Sequence, residues 1–96
     1  MQGVAYRDND GAITYADTDA VFVAIGQQPH NGDFAHLVQL DEKGYIVASE
    51  DCKTSCEGIF AAGDCRQKGV RQCATAVGDG AVAGFSAAMY VDSLKN

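Results

Sequence analysis

The residues best suited to chemistry lie between Gly58 and Gly80, where the chain reads Gly-Ile-Phe-Ala-Ala-Gly-Asp-Cys-Arg-Gln-Lys-Gly-Val-Arg-Gln-Cys-Ala-Thr-Ala-Val-Gly-Asp-Gly. A short apolar run ends on Gly63 and Asp64. Arg66, Lys68 and Arg71, three of the seven basic residues, crowd the loop that follows, and a helical pattern begins at Gln72. An Asp at the end of a strand accepts hydrogen bonds from ligand hydroxyls, such as those of a sugar or ribitol chain. A helix start presents unpaired N–H groups and the positive end of the helix dipole, which stabilise an anion or a growing partial negative charge. Side by side, the two suit a polar cofactor with hydroxyls at one point and an electron-rich ring edge at another.

Elements on both sides must hold that segment in place. Val4 to Arg7 and Ala12 to Tyr15 flank Asp8-Asn9-Asp10-Gly11, a strong hairpin signal. The continuous apolar run Ala20 to Gly26 predicts a fully buried strand. Gln27 to Asp33 is a polar loop with the only Pro and marks a boundary or hinge. A second hairpin is expected where Val38-Gln39-Leu40 and Tyr45-Ile46-Val47 flank Asp41 to Gly44. Gly58 to Asp64 reads as a short buried strand. From Gln72 to about Leu94 the spacing predicts one long helix with Val77, Ala81, Phe85, Ala88 and Met89 on its apolar face. Gly78, Gly80 and Gly84 weaken that helix, which implies a close approach to a sheet or ligand. The fold class is α/β, with too few helices to cover both faces of a parallel sheet and a helix face left without a partner.

At these residues the chain resembles a known family. Gly58-Ile-Phe-Ala-Ala-Gly-Asp64, then Arg71-Gln72, Thr75-Ala76 and Gly78-Asp79-Gly80, are similar to the C-terminal FAD-binding segment of bacterial-type thioredoxin reductases. Val21 to Pro29 resembles the apolar strand and loop that close that family's NADPH domain, and Lys53-Thr54-Ser55 precedes the Gly-Asp strand as expected. The resemblance implies a partial FAD/NAD(P)-binding Rossmann-like fold, with residues 1–26 as the last strands of an NADPH-binding-like domain and residues 27–96 as the C-terminal segment of an FAD-binding domain. It implies that Asp64 binds the ribitol hydroxyls of FAD while Gly63 lets the backbone approach. Cys65, in the same turn, joins the cofactor-binding set. Arg71, Gln72 and Cys73 would sit beside the isoalloxazine ring, with their main chain toward the edge that becomes negative on reduction. The complete enzyme of such a family moves electrons from NADPH through FAD to a protein disulfide, with thioredoxin as partner.

The departures matter as much. The 96 residues carry no N-terminal FAD fingerprint, no NADPH-binding Gly-rich turn and no Cys-x-x-Cys. The expectation is therefore a fragment with no catalytic residue and no reductase activity alone. It would work with the remainder of a reductase or with a second copy of the chain as a dimer, or serve as a non-enzymatic module that docks or oligomerises. Gly78-Asp79-Gly80-Ala81-Val82-Ala83 matches the dinucleotide pattern formally, but it lies inside a helical segment and reads as helix packing. Cys52, Cys56, Cys65 and Cys73 are spaced by 4, 9 and 8 positions, without the paired knuckles of a zinc site, so free thiols are expected, Cys73 the most reactive. His30 and His36 read as surface residues, and Arg66 and Lys68 as a solvated loop.

Composition agrees with a piece of something larger. The net charge is −6, and 15 Ala and 11 Gly outnumber the 22 Val, Ile, Leu, Met and Phe residues, a light core for an independent domain. An acidic chain offers no basic footprint for nucleic acid or an anionic membrane. Ala20 to Ile25 is far too short to span a bilayer, and the first residues have no basic or apolar leader pattern, so a cytoplasmic chain is expected.

Overall fold

The computed structural model describes residues 2–95. Its first element is an antiparallel hairpin of β1 (Gly3–Arg7) and β2 (Ile13–Asp17), in the register Gly3↔Asp17 to Arg7↔Ile13. Asp8 builds the turn: its Oδ1 accepts the N–H groups of Asp10 at 2.9 Å and Ala12 at 3.0 Å. Gly11 supplies the positive φ, +85°, that the turn needs.

The expected strand over Ala20–Gly26 is the main correction. These residues carry no ladder, and Phe22 and Ile25 are 95% and 91% exposed. An apolar strand is buried only when neighbours cover both its edges and faces, and β1 and β2 pair with each other. Beyond Gly26 (φ +97°) the chain enters the polar loop.

The second hairpin is present as a turn with one bridge, Leu40↔Ile46, instead of two strands. Asp41 Oδ1 accepts the N–H groups of Lys43 and Tyr45, both at 2.9 Å. Ile46 then bridges Arg66 in parallel, and Lys53 bridges Phe60 in antiparallel, so the Gly58–Asp64 run is held by single bridges and not by a ladder. Its expected burial survives at Ala61. Val38, Ile46 and Ala61 form the small core, with Leu40, Ala48, Cys56, Ile59 and Cys65 packed around it. Buried Asn31 ties the layers together by donating to the carbonyls of Gly44 at 3.0 Å and Cys65 at 2.9 Å.

The long helix α1 spans Cys73–Ser93, capped by Gln72, whose N–H donates to Thr75 Oγ1 at 3.0 Å. Its packed side differs from the expected one. Ala76, Asp79, Ala83, Ser86, Ala87 and Tyr90 face the rest of the chain, while Val77, Phe85 and Met89 lie 74%, 68% and 55% exposed. Side chains built at Gly78, Gly80 and Gly84 would meet nothing within 4 Å, so the expected close approach is not made within this chain. The molecule is elongated, 67 × 25 × 22 Å with a radius of gyration of 19.6 Å, against about 12–13 Å for a compact chain of this length.

Candidate functional site

Gly63, Asp64 and Cys65 form one turn of 3-10 helix at the end of the Gly58 run. Gly63 has φ +83°, a left-handed conformation that glycine adopts without strain, and the extended Ala62 leads into it. The Asp64 side chain is exposed and makes no hydrogen bond among the described residues, so both carboxylate oxygens are free to accept. Cys65 is half-buried against the core, and its carbonyl receives the Ile46 N–H at 3.0 Å.

Arg71, Gln72 and Cys73 come to the same place through α1, which packs on this turn. Arg71 Nε donates to the Asp64 carbonyl at 3.2 Å and its Nη2 to the Arg66 carbonyl at 3.1 Å, while the guanidinium stacks over the Tyr45 ring. Its side chain is thus a brace for the loop. Gln72 is the N-cap, and Cys73, exposed, is the first helical residue. The N–H groups of Cys73 and Ala74 have no intrahelical acceptor, as at any helix start. The six residues expected to contact a cofactor therefore lie on two adjoining segments, joined by the Arg71–Asp64 bond and the packing of α1 on the turn, with Cys65 turned toward the core. Beside them, Gln27, Pro29, Tyr45, Asp64 and Cys65 border a cavity of about 350 Å³.

One residue central to this arrangement was not singled out from sequence. Asp79 Oδ2 accepts the Gly63 N–H at 3.0 Å and the Lys68 ammonium at 2.7 Å, and Oδ1 accepts Arg66 Nη1 at 3.3 Å. The Lys68 hydrogen bond holds the Asp79 carboxyl below the usual carboxylate range; desolvation opposes the shift, and the Gly63 N–H and the Arg66 charge assist it. Arg66 and Lys68 are accordingly not a solvated loop: their side chains are 12% and 10% exposed. Arg66 also reaches the carbonyls of Ala48 and Ser49 at 3.3 Å. The available signal was a helical Asp following two cations, at a spacing that only the returning loop makes close. Cys52, 1% exposed with φ +64°, packs beneath this cluster, its thiol donating to the Asp79 carbonyl at 3.5 Å.

All four cysteines are free thiols. Among the described residues no group of three His, Cys, Asp or Glu side chains could hold a metal, and no helix is long and apolar enough to cross a membrane.

Comparison with known proteins shows the family. The profile of the pyridine nucleotide-disulphide oxidoreductase family matches residues 2–80, and the chain belongs to that family. It is 46% identical over 86 residues to a thioredoxin reductase of Listeria innocua, covering 90% of this chain and 27% of that protein. With a thioredoxin reductase of Treponema pallidum the identity is 50% over 78 residues, covering 81% of this chain and 25% of the relative. Among solved structures, Lactococcus lactis thioredoxin reductase superposes with a TM-score of 0.72 at 38% identity, covering 96% of this chain and 31% of that one. T. acidophilum thioredoxin reductase gives 0.69 at 40% identity, covering 97% of this chain and 31% of that one. The resemblance read from Gly58–Gly80 is borne out, and the chain spans about a quarter of the length of the curated relatives it matches.

Proposed function

We propose that this chain is the C-terminal, FAD-contacting portion of a thioredoxin-reductase-like flavoprotein, whose complete form carries electrons from NADPH through FAD to a protein disulfide such as that of thioredoxin. The observation that carries this reading is the surface made by the Gly63–Cys65 turn and the start of α1, where an unpaired Asp64 carboxylate stands beside free helix N–H groups. These residues fit FAD. Asp64 would accept from ribitol hydroxyls, Gly63 keeps the main chain bare, and the Arg71–Cys73 backbone would face the flavin edge. FAD when bound supplies the redox chemistry; this chain's residues bind and orient it.

In this reading residues 1–26 close an NADPH-binding-like domain and residues 27–96 belong to the FAD domain, a division supported by the change of direction at Gly26 and the polar loop after it. The exposed Phe22, Ile25, Phe85 and Met89 are surfaces for the remainder of a reductase, and the small share of each relative that the chain covers supports that occupant. The reading places the chain in the cytoplasm, away from nucleic acid and membranes. Alone, without a redox Cys-x-x-Cys or nucleotide fingerprints, it has no reductase activity.

The test is titration of FAD into the isotope-labelled chain, followed at the backbone amides. Saturable shifts centred on Gly63, Asp64, Gln72 and Cys73 are expected. Shifts absent from these amides up to the solubility of FAD would sink the reading.

A further inference from the structure

One carboxylate ties both ends of the loop between the Gly63 turn and α1 to the helix, beside the Arg71 brace described above. Asp79 lies on the inward side of the helix, and its two oxygens collect three donors from a single stretch of chain: the Gly63 N–H at its start, then Arg66 and Lys68. The side chains of Arg66, Lys68 and Asp79 are only 10–16% exposed, so these charge-assisted bonds are little screened and strongly directional. The three donors share the two carboxylate oxygens, two on Oδ2 and one on Oδ1, and the buried Nε of Arg66 has no partner. Gly63 cannot rotate its N–H away without breaking the bond to Oδ2. The left-handed conformation that aims Asp64 outward is therefore imposed from the helix and not by the turn alone.

We propose that Asp79 is a positioning residue for FAD: it fixes the Gly63–Asp64 turn in its cofactor-accepting geometry and acts through that turn without touching the cofactor. The proposal rests on the FAD reading above. Its reason is preorganisation, because a turn already held in its bound conformation loses less entropy when the ligand arrives. Around the carboxylate the facing groups are Arg66 and Lys68 from the loop, the Gly63 N–H from the turn, and the Cys52 thiol, which bonds the Asp79 carbonyl and not its side chain.

The experiment uses the labelled 96-residue chain with FAD as the probe, and compares wild type with Asp79→Asn and Lys68→Met. The wild-type Gly63 amide should titrate in acid, with the carboxylate that it faces. Asp79→Asn should abolish that titration and weaken FAD binding about tenfold, the worth of one charge-assisted hydrogen bond. Lys68→Met leaves the Gly63 bond in place while removing the strongest influence that keeps Asp79 ionised. Its FAD affinity at neutral pH should fall less than that of Asp79→Asn, and should begin its acid decline at a higher pH than wild type. This second variant keeps the test decisive if Asp79→Asn does not fold, with far-ultraviolet circular dichroism recorded across the same acid range: a positioning role shifts FAD binding while the chain is still folded, and a merely structural one shifts binding only together with unfolding. Equal FAD affinity in wild type and Asp79→Asn, or identical acid profiles in wild type and Lys68→Met, would overturn the positioning role alone. An absent FAD response at the wild-type Gly63–Cys73 amides would overturn the cofactor reading and the role together.

Discussion

The guanidinium carbon of Arg71 lies 3.6 Å above the centre of the Tyr45 ring, which joins the loop entering α1 to the turn that follows Asp41. The same side chain donates to the carbonyls of Asp64 and Arg66. Replacing Arg71 by Ala removes a cation–π contact and two hydrogen bonds, an expected loss of about 1–2 kcal/mol. Lys, lacking the planar fork, should recover less than half of it. Urea denaturation followed by far-ultraviolet circular dichroism measures both; an unchanged midpoint in Arg71→Ala would show that the stack braces nothing.

Gly80 and Gly84 lie inside α1 with open space where a side chain would stand. Substitution by Ala should raise the stability of this chain by roughly 0.5–1 kcal/mol at each site, because glycine is the costlier residue in a helix interior. If the remainder of a reductase packs onto this face, the same substitutions should weaken that association. Thermal melts of the chain and binding to the missing portion test the two halves separately.

Acid should unfold the site through Asp79. Its folded carboxyl titrates below the usual range, first because of the Lys68 hydrogen bond. The stabilisation is therefore fully present above the unfolded value of about 3.9 and is lost as pH falls through the folded one. Asp79→Asn should cost about 2–3 kcal/mol at neutral pH, by stranding two nearly buried cations, and the gap to wild type should close in strong acid. A constant gap across the whole pH range would count against the assignment.

Thiol alkylation of the native chain should proceed first at Cys73, which is exposed, and last at Cys52, which is 1% exposed. Burial of this degree leaves local opening as the only route for the reagent. Peptide mass mapping over time reports the order, and labelling of Cys52 at the rate of Cys73 would contradict the packing beneath Arg66.

Local chemistry was legible in the sequence wherever it depended on neighbours in the chain. The Asp8–Gly11 turn and the helix from Gln72 follow from turn residues and apolar spacing, while the apolar run ending at Gly63–Asp64 is in place but held by single bridges in place of a strand ladder. The matched family followed from the same stretch. Segments whose structure depends on absent neighbours were misread. Ala20–Gly26 has the composition of a buried strand and nothing here to bury it, and the apolar stripe of α1 points to solvent while its small residues pack inward. Asp79 was visible as part of the Gly78-Asp79-Gly80 motif, but its role was hidden for a third reason. Its partners are 11, 13 and 16 residues away, and only the returned loop makes them neighbours.

Among the described residues, the hairpin of β1 and β2 makes no packing contact with α1 or with the Gly63 turn. The hairpin and the Asp64 surface are therefore separate units of recognition: a change at the Asp8–Gly11 tip has no packing contact among the described elements through which to reach the turn that Asp79 holds.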